Sequence, residues 1–244
     1  MPNENMTSPE TPDSVTPPTR RNHLQFEPLP EKSGGLELLA ALLKHPGQII
    51  HELHGERRPA LGLWLMLFAL AAMALYGVVV GSLTGGTQFW IAPVKLVLGT
   101  FLSVLICLPS LYVFDCLGGN DVRFHTIAGA LAAGVCLNAL LLIGLAPVAW
   151  IFSQSTDSTA FMGALHLLFW LIGLSFGLRL IGATSRFRSK QGRGHLKSWS
   201  LIFILVCLQM TTTLRPIIGR SDSFLPREKK FFMTHWLNSL GGKQ

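Results

Sequence analysis

The stretch Ala60–Ser82, "ALGLWLMLFALAAMALYGVVVGS", decides the fold, because no charged side chain occurs anywhere along it. An α-helix rises 1.5 Å per residue, so about 20 apolar residues cross the roughly 30 Å of hydrocarbon in a bilayer. Of the 244 residues in the chain, 49% are hydrophobic and 14% are charged, and the mean hydropathy is +0.43. A soluble domain carries roughly 25% charged residues, so the composition predicts an integral membrane protein.

Four more apolar runs follow the first, and polar segments separate them. The last run is strictly apolar only from Trp199 to Met210, and it ends in "LQMTTTLRPIIGR" with Arg215 and Pro216. The sequence predicts an all-α fold, a polytopic bundle of five transmembrane helices between residues 59 and 220. The predicted spans are about 60–82, 92–117, 126–152, 160–182 and 198–219.

Polar segments flank this membrane region. Residues 1–35 are rich in Pro, Ser, Thr and charge and lack an apolar core, which predicts a disordered tail rather than a signal peptide. In residues 36–58, apolar side chains recur at helical spacing on both sides of Pro46-Gly47. This pattern predicts two amphipathic helices, lying on the membrane surface or against the bundle. The tail 221–244 has large apolar residues four apart, which predicts a short interfacial helix.

The charges of the loops predict the orientation of the spans. Five cations lie between Arg186 and Lys197, and the loop before the second run has none. By the positive-inside rule, the second and fourth loops and the N-terminus are cytoplasmic. The net charge of +7 is typical of basic loops facing an anionic leaflet, and we expect no nucleic-acid partner. Trp90 and Trp150 are then predicted at the outer interface, and Trp199 at the inner one.

An odd number of spans places the C-terminus outside, although its tail carries Arg227, Lys229 and Lys230. Either the fifth run fails to cross, or the charges of the fourth loop dominate the orientation. We favour the second interpretation.

One motif resembles a catalytic signature. "GLSFG", Gly173–Gly177, matches the G-x-S-x-G of serine hydrolases. His166, however, lies on the same predicted helix nine residues earlier, about 13 Å along the axis, too far to accept a proton from Ser175. Gly173 and Gly177, like Gly77 and Gly81 in "GVVVG", instead form GxxxG surfaces on which helices pack closely.

No other pattern indicates a cofactor or a metal. "HELH", His51–His54, lacks the H-E-x-x-H spacing of zinc proteases, and a solvated helix face is the favoured interpretation. The four cysteines form no CxxC pair and are expected to be small buried hydrophobes. We therefore predict no cofactor, no metal site and no catalytic residue.

Ionisable and polar residues within the spans are the remaining candidates for function. Lys95 and Arg179 lie near span ends, where snorkelling accounts for them. Asp115 lies near the inner end of the second span, where Arg123 or Arg179 could pair with it. His166 and Asn138 are deeper, and interhelical hydrogen bonds are expected for them.

Arg215 is the most unusual of these residues. If the fifth span begins near Ser198, Arg215 lies about 25 Å along it, close to the outer interface. Pro216 disfavours helical geometry at Arg215 and helps to end the span there. Arg215, Arg123 and Asp115 are the candidate contacts for a lipid or a partner protein.

Three features of the sequence resemble the Yip1 superfamily of small multi-pass membrane proteins, in a bacterial-type version. They are "LLKHPGQIIHEL" before the first span, "LGTFLSVLICLPSLYVFDCLGGNDVRFHTIAGALAAG" around the second and third, and the five-span pattern after a polar tail. "ALYGVVVG" keeps only the Leu-Tyr-Gly of the DLYGP-type motif of eukaryotic members. The contacts with Rab-type GTPases that the eukaryotic members imply therefore do not carry over.

The resemblance implies a non-enzymatic scaffold or adaptor that organises membrane partners or lipids in the bacterial inner membrane. The alternative is a subunit of a transporter or channel. A continuous polar path linking Asn138, His166 and Asp115 would favour the transporter, and a dry bundle would favour the scaffold.

Overall fold

The computed structural model describes residues 34–55, 58, 60–82, 88–119, 123–156, 158–186 and 193–213. Within these ranges every regular element is an α-helix, and no strand occurs. The helices are α1 (Gly35–Lys44), α2 (Pro46–His54), α3 (Leu61–Ser82), α4 (Gln88–Leu117), α5 (Phe124–Ser155), α6 (Thr159–Arg186) and α7 (Arg193–Thr213).

Four of the predicted spans are confirmed as helices long and apolar enough to cross a membrane: α3, α4, α5 and α6. Helices α4, α5 and α6 begin before their predicted bounds, and α5 and α6 also end after them. In α7 only Leu196–Met210 is strongly apolar, which is short for a span. The chain is therefore a membrane protein with four span-length apolar helices among its described residues, and the fifth span stays a prediction.

Prolines and glycines explain several of the helix boundaries. Pro46 occupies the first position of α2, where its missing N–H costs no hydrogen bond. At the end of α4, Gly119 has φ +75°, and its N–H donates to the carbonyl of Cys116. Glycine adopts this left-handed geometry without steric cost, so the chain can turn sharply out of α4.

The amphipathic pair α1 and α2 packs against the bundle. Ile49, Ile50 and Leu53 on α2 are buried, and a Cβ at Gly129 of α5 would lie 2.5 Å from the Cδ2 atom of Leu53. Glu52 is buried as well, so the prediction of a solvated face over His51–His54 is wrong for it. Helical spacing predicts which residues share a face, but the neighbouring helices decide which face is covered.

Helix α5 is the centre of the bundle. Helices α3 and α6 pack along it, α4 packs mainly against α3, and α7 packs mainly against α4. Nearly every residue of α5 between Thr126 and Ala139 is buried. The small side chains of this segment, "TIAGALAAGVCLNA", allow its neighbours to approach closely.

Trp199 joins α7 to α4. Its side chain is fully buried, its ring stacks on Phe203 with centroids 5.1 Å apart, and its Nε1–H donates to Ser110 Oγ at 3.1 Å. The prediction that Trp199 belongs to an interfacial aromatic belt is therefore wrong. Trp90 and Trp150 are exposed, as residues facing lipid headgroups would be.

Several predictions fall outside the described residues. They are the tail up to residue 33, Arg215, Pro216 and the C-terminal tail 221–244 with its predicted interfacial helix.

Candidate functional site

Buried polar side chains are the residues from which a site could be built, because a polar group costs free energy in an apolar interior unless it has a partner. Apart from Tyr76, the buried polar residues of the span helices are Lys95, Ser103, Asp115, Thr126, Asn138, His166 and Thr184. Six of these eight residues, all but Lys95 and Ser103, fall into three levels along the bundle axis.

The first level is a hydrogen-bonded pair that links α3 to α6. The hydroxyl of Tyr76 lies 2.6 Å from Nδ1 of His166, and the two rings are nearly perpendicular with centroids 5.6 Å apart. The Nε2 atom of His166 is enclosed without a hydrogen-bond partner among the described residues. The pair therefore acts across the bundle, as a cross-link between two helices that both also pack on α5.

Asn138 forms the second level, in the middle of α5. Its side chain is buried and faces α6 at Gly173, and its Oδ1 atom is enclosed without a hydrogen-bond partner in the part of the chain that the structure describes. A Cβ at Gly173 would collide with Oδ1 of Asn138. The glycine thus makes room for an amide that a larger residue would displace.

Below Asn138, the backbones of α5 and α6 meet. A Cβ on Gly177 would lie 2.5 Å from the carbonyl oxygen of Gly134. Gly134 lies four residues from Asn138, about 6 Å along the axis. This contact leaves no room for water between the two helices, and it closes the interface at that point.

The third level is a small crevice where α4, α5 and α6 come together near the α5 N-terminus. Its polar lining consists of Asp115, Thr126, Thr184 and Ser185. The hydroxyl of Thr126 donates to the carbonyl of Leu53 at 3.3 Å, and that of Thr184 donates to the carbonyl of Leu180 at 3.0 Å. Because these protons are directed to carbonyls, both hydroxyl oxygens remain available as acceptors beside Asp115.

Two of the three predicted contact residues, Asp115 and Arg123, lie among the described residues. Arg123 is exposed at the start of α5, and the guanidinium of Arg179 lies 5.6 Å from the ring centroid of Phe176. Asp115 is buried in the crevice. Lys95 is completely buried, so snorkelling into the headgroups does not account for it.

The glycines of the first GxxxG motif are both buried in α3. A Cβ on Gly77 would lie 2.5 Å from Cα of Pro93, which places this glycine against the first turns of α4. Gly77 thus faces α4, whereas Gly173 and Gly177 both face α5.

Ser175 has the geometry of a lipid-facing serine. Its side chain is exposed, and its hydroxyl donates to the carbonyl of Ile172 at 2.7 Å, one turn earlier on α6. His166 is turned toward Tyr76 instead. The two residues therefore do not form the nucleophile–base contact that hydrolysis would need.

Sequence reasoning missed Tyr76, Thr126 and Trp199 as interhelical donors or acceptors. One signal was available for Tyr76: it is one of only two tyrosines in the chain and lies inside an apolar run. A buried tyrosine hydroxyl in hydrocarbon needs a partner. Which partner it finds depends on how the helices are rotated, which the sequence pattern does not specify.

The comparisons with known proteins returned no match: no family model, no curated protein and no solved structure is similar to this chain. The resemblance to the Yip1 superfamily stays a prediction.

Proposed function

We propose that the chain is a non-enzymatic scaffold or adaptor of the membrane, similar to Yip1-type proteins, which organises partner proteins or lipids around its outward faces. The observation that carries this proposal is the backbone contact between Gly134 and Gly177. It closes the α5–α6 interface between Asn138 and the crevice at Asp115, which argues against a polar path along that interface.

The outward faces support the same proposal. In each of the four span helices, only 28–39% of an 18-residue apolar stretch is buried within the protein. Large apolar side chains such as Leu168 on α6 and Leu201 on α7 face outward. A small bundle with this much free helix surface offers long faces to lipids or to other membrane proteins.

The resemblance to bacterial Yip1-type proteins supports a location in the bacterial inner membrane, and the distribution of basic residues along the loops supports a cytoplasmic N-terminus. A reporter that is active only in the cytoplasm, fused after Gln244, tests the five-span topology. We expect no signal there, and a cytoplasmic signal would mean that α7 does not cross.

Photo-crosslinking in native membranes tests the scaffold itself. A photoreactive amino acid replaces Leu168 in one variant and Leu201 in another, since both side chains are more than half exposed. We expect a discrete protein adduct of fixed mass from at least one face, with lipid adducts from the other. If both positions yield only lipid, the chain has no stable protein partner on these faces, and the adaptor proposal fails.

The second candidate is a subunit of a transporter or channel, and the buried carboxylate of Asp115 in its crevice favours it. Purified protein in sealed liposomes distinguishes the two functions. The scaffold predicts Na⁺, K⁺, H⁺ and Cl⁻ fluxes equal to those of protein-free vesicles. A flux that the Asp115→Asn variant removes would establish the transporter instead.

A further inference from the structure

Helix α1 has two apolar faces, and among the described residues protein covers only one of them. Ala41 and Leu42 are buried toward the bundle, and Leu38 is partly buried with them. On the other side, Leu36 is 81% exposed and Leu43 is 51% exposed. These two residues lie two turns apart, so they share one face of the helix.

The level of α1 along the bundle shows what surrounds this free face. Gly35, the first residue of α1, lies against the ring of Phe68: a Cβ there would be 3.2 Å from Cζ of Phe68. Phe68 is seven residues into α3, about 10 Å along the axis from the first residue of that helix. The start of α1 therefore lies beside the apolar part of a span helix and not beyond its end.

The end of α2 lies at a similar level along the bundle. Leu53 packs on Gly129, five residues into α5, and its carbonyl accepts the hydroxyl proton of Thr126. Five residues correspond to about 7.5 Å. The start of α1 and the end of α2 thus lie beside the first two turns of the span helices, at the depth where amphipathic helices rest between headgroups and acyl chains.

The free face of α1 is continuous with the outer surface of α3. Next to Phe68 on α3 lie the exposed side chains of Trp64 and Leu67, and the Trp64 and Phe68 rings are 6.4 Å apart. A surface that faces acyl chains on α3 therefore extends without a break onto α1 at Leu36. Water beside Leu36 would solvate an exposed leucine at the level of the apolar part of α3, which is unfavourable.

Charge at the same end of the bundle identifies the kind of lipid. Lys44, Arg123 and Arg186 are exposed there, at the end of α1, before α5 and at the end of α6. Of the described carboxylates nearby, Glu52 and Asp115 are buried, so the exposed cations outnumber the one exposed carboxylate there, Glu37. Each cation near an anionic membrane surface contributes about 1 kcal/mol of attraction.

We propose that α1 is a lipid-binding helix inserted into one leaflet, with acyl chains covering Leu36 and Leu43 and anionic phospholipid headgroups held at the exposed Lys44. This interaction concerns lipid only, so it holds whether or not the chain binds protein partners. It also does not depend on which side of the membrane the N-terminus occupies.

The test replaces Leu43 by p-benzoyl-phenylalanine in the full chain and irradiates membranes from the expressing cells. The matched positions are Leu105, 54% exposed on α4, and Glu37, an exposed polar residue of α1. We expect lipid adducts at position 43 with a yield similar to position 105, and a several-fold lower yield at position 37. Mass spectrometry of the adducts should show enrichment of anionic phospholipid relative to the bulk membrane.

Three results would overturn this proposal. An adduct with a second copy of the chain or with another protein means that protein covers the face. No adduct at position 43, with normal yield at position 105, means that the face is in water. Lipid adducts with bulk headgroup composition, unchanged in a Lys44→Gln variant, remove the anionic specificity.

Discussion

Replacing Gly177 by alanine should separate α6 from α5. The added Cβ would lie 2.5 Å from the carbonyl oxygen and 3.1 Å from the carbonyl carbon of Gly134, whereas ordinary contact begins at 3.4 Å. The atoms in the way are backbone, so no side-chain rotation relieves the clash, and the helices must move apart by roughly 0.9 Å. Overpacking of this kind costs about 1–3 kcal/mol.

The matched control is Gly163→Ala on the same helix, where nothing lies within 4 Å of the new Cβ. Alanine is the better helix former by about 1 kcal/mol, and this gain is common to both variants, so their difference isolates the clash. We expect Gly177→Ala to be less stable than Gly163→Ala by about 1–3 kcal/mol, roughly 5- to 150-fold in the unfolding equilibrium constant.

Steric trapping in bicelles, or thermal unfolding in mild detergent, measures this difference. Equal stability of Gly177→Ala and Gly163→Ala would refute the close contact between the two backbones. That result would also remove the argument that the α5–α6 interface is closed to a polar path.

Three more changes test the interhelical contacts. Trp199→Ala should destabilise the protein by about 3–5 kcal/mol and release α7 from α4, seen as faster hydrogen exchange in α7, whereas Leu201→Ala at an exposed position should cost little. In a double-mutant cycle of Tyr76→Phe and His166→Leu, the hydrogen bond predicts a coupling free energy of about 0.6–1.7 kcal/mol in unfolding, and zero coupling would contradict it. Thr126→Val should lower the free energy of unfolding by about 1 kcal/mol and speed hydrogen exchange in α2, because the hydroxyl that donates to Leu53 is lost. Thr126→Ser keeps a hydroxyl and should match the original chain in both measurements. Equal stability and equal exchange in the two variants would exclude the contact.

Hydropathy was sufficient to predict the four long helices, because an apolar run of about 20 residues has few other stable environments. It could not settle α7, whose apolar part is shorter and whose continuation is polar. The amphipathic pair before the first span was also predictable, since its apolar spacing and Pro46 are local features. Whether this pair lies on the membrane surface or against the bundle was not predictable, because it depends on the small residues of α5 on which Leu53 packs.

The candidate site was likewise predictable only in part. The sequence singled out Asn138, His166 and Asp115, because polar groups in apolar runs are conspicuous. Which side chains they meet depends on how each helix is rotated about its axis. Hydropathy does not constrain this rotation in α3 to α6, because every side of these helices is apolar. For the same reason, Lys95 and Trp199 were expected at the membrane interfaces, and both are fully buried.

The central place of α5 has a consequence for biosynthesis. The chain leaves the ribosome from its N-terminus, so α3 and α4 enter the membrane first and can pair through Gly77 and Pro93. Helix α2 cannot dock at this stage, because Leu53 packs on Gly129 and its carbonyl accepts a hydrogen bond from Thr126. Both of these α5 residues are translated more than seventy residues later. Until α5 emerges, the nascent protein therefore carries an undocked apolar segment ahead of its first hairpin, and during that interval lipid, a chaperone or the translocon has to cover it.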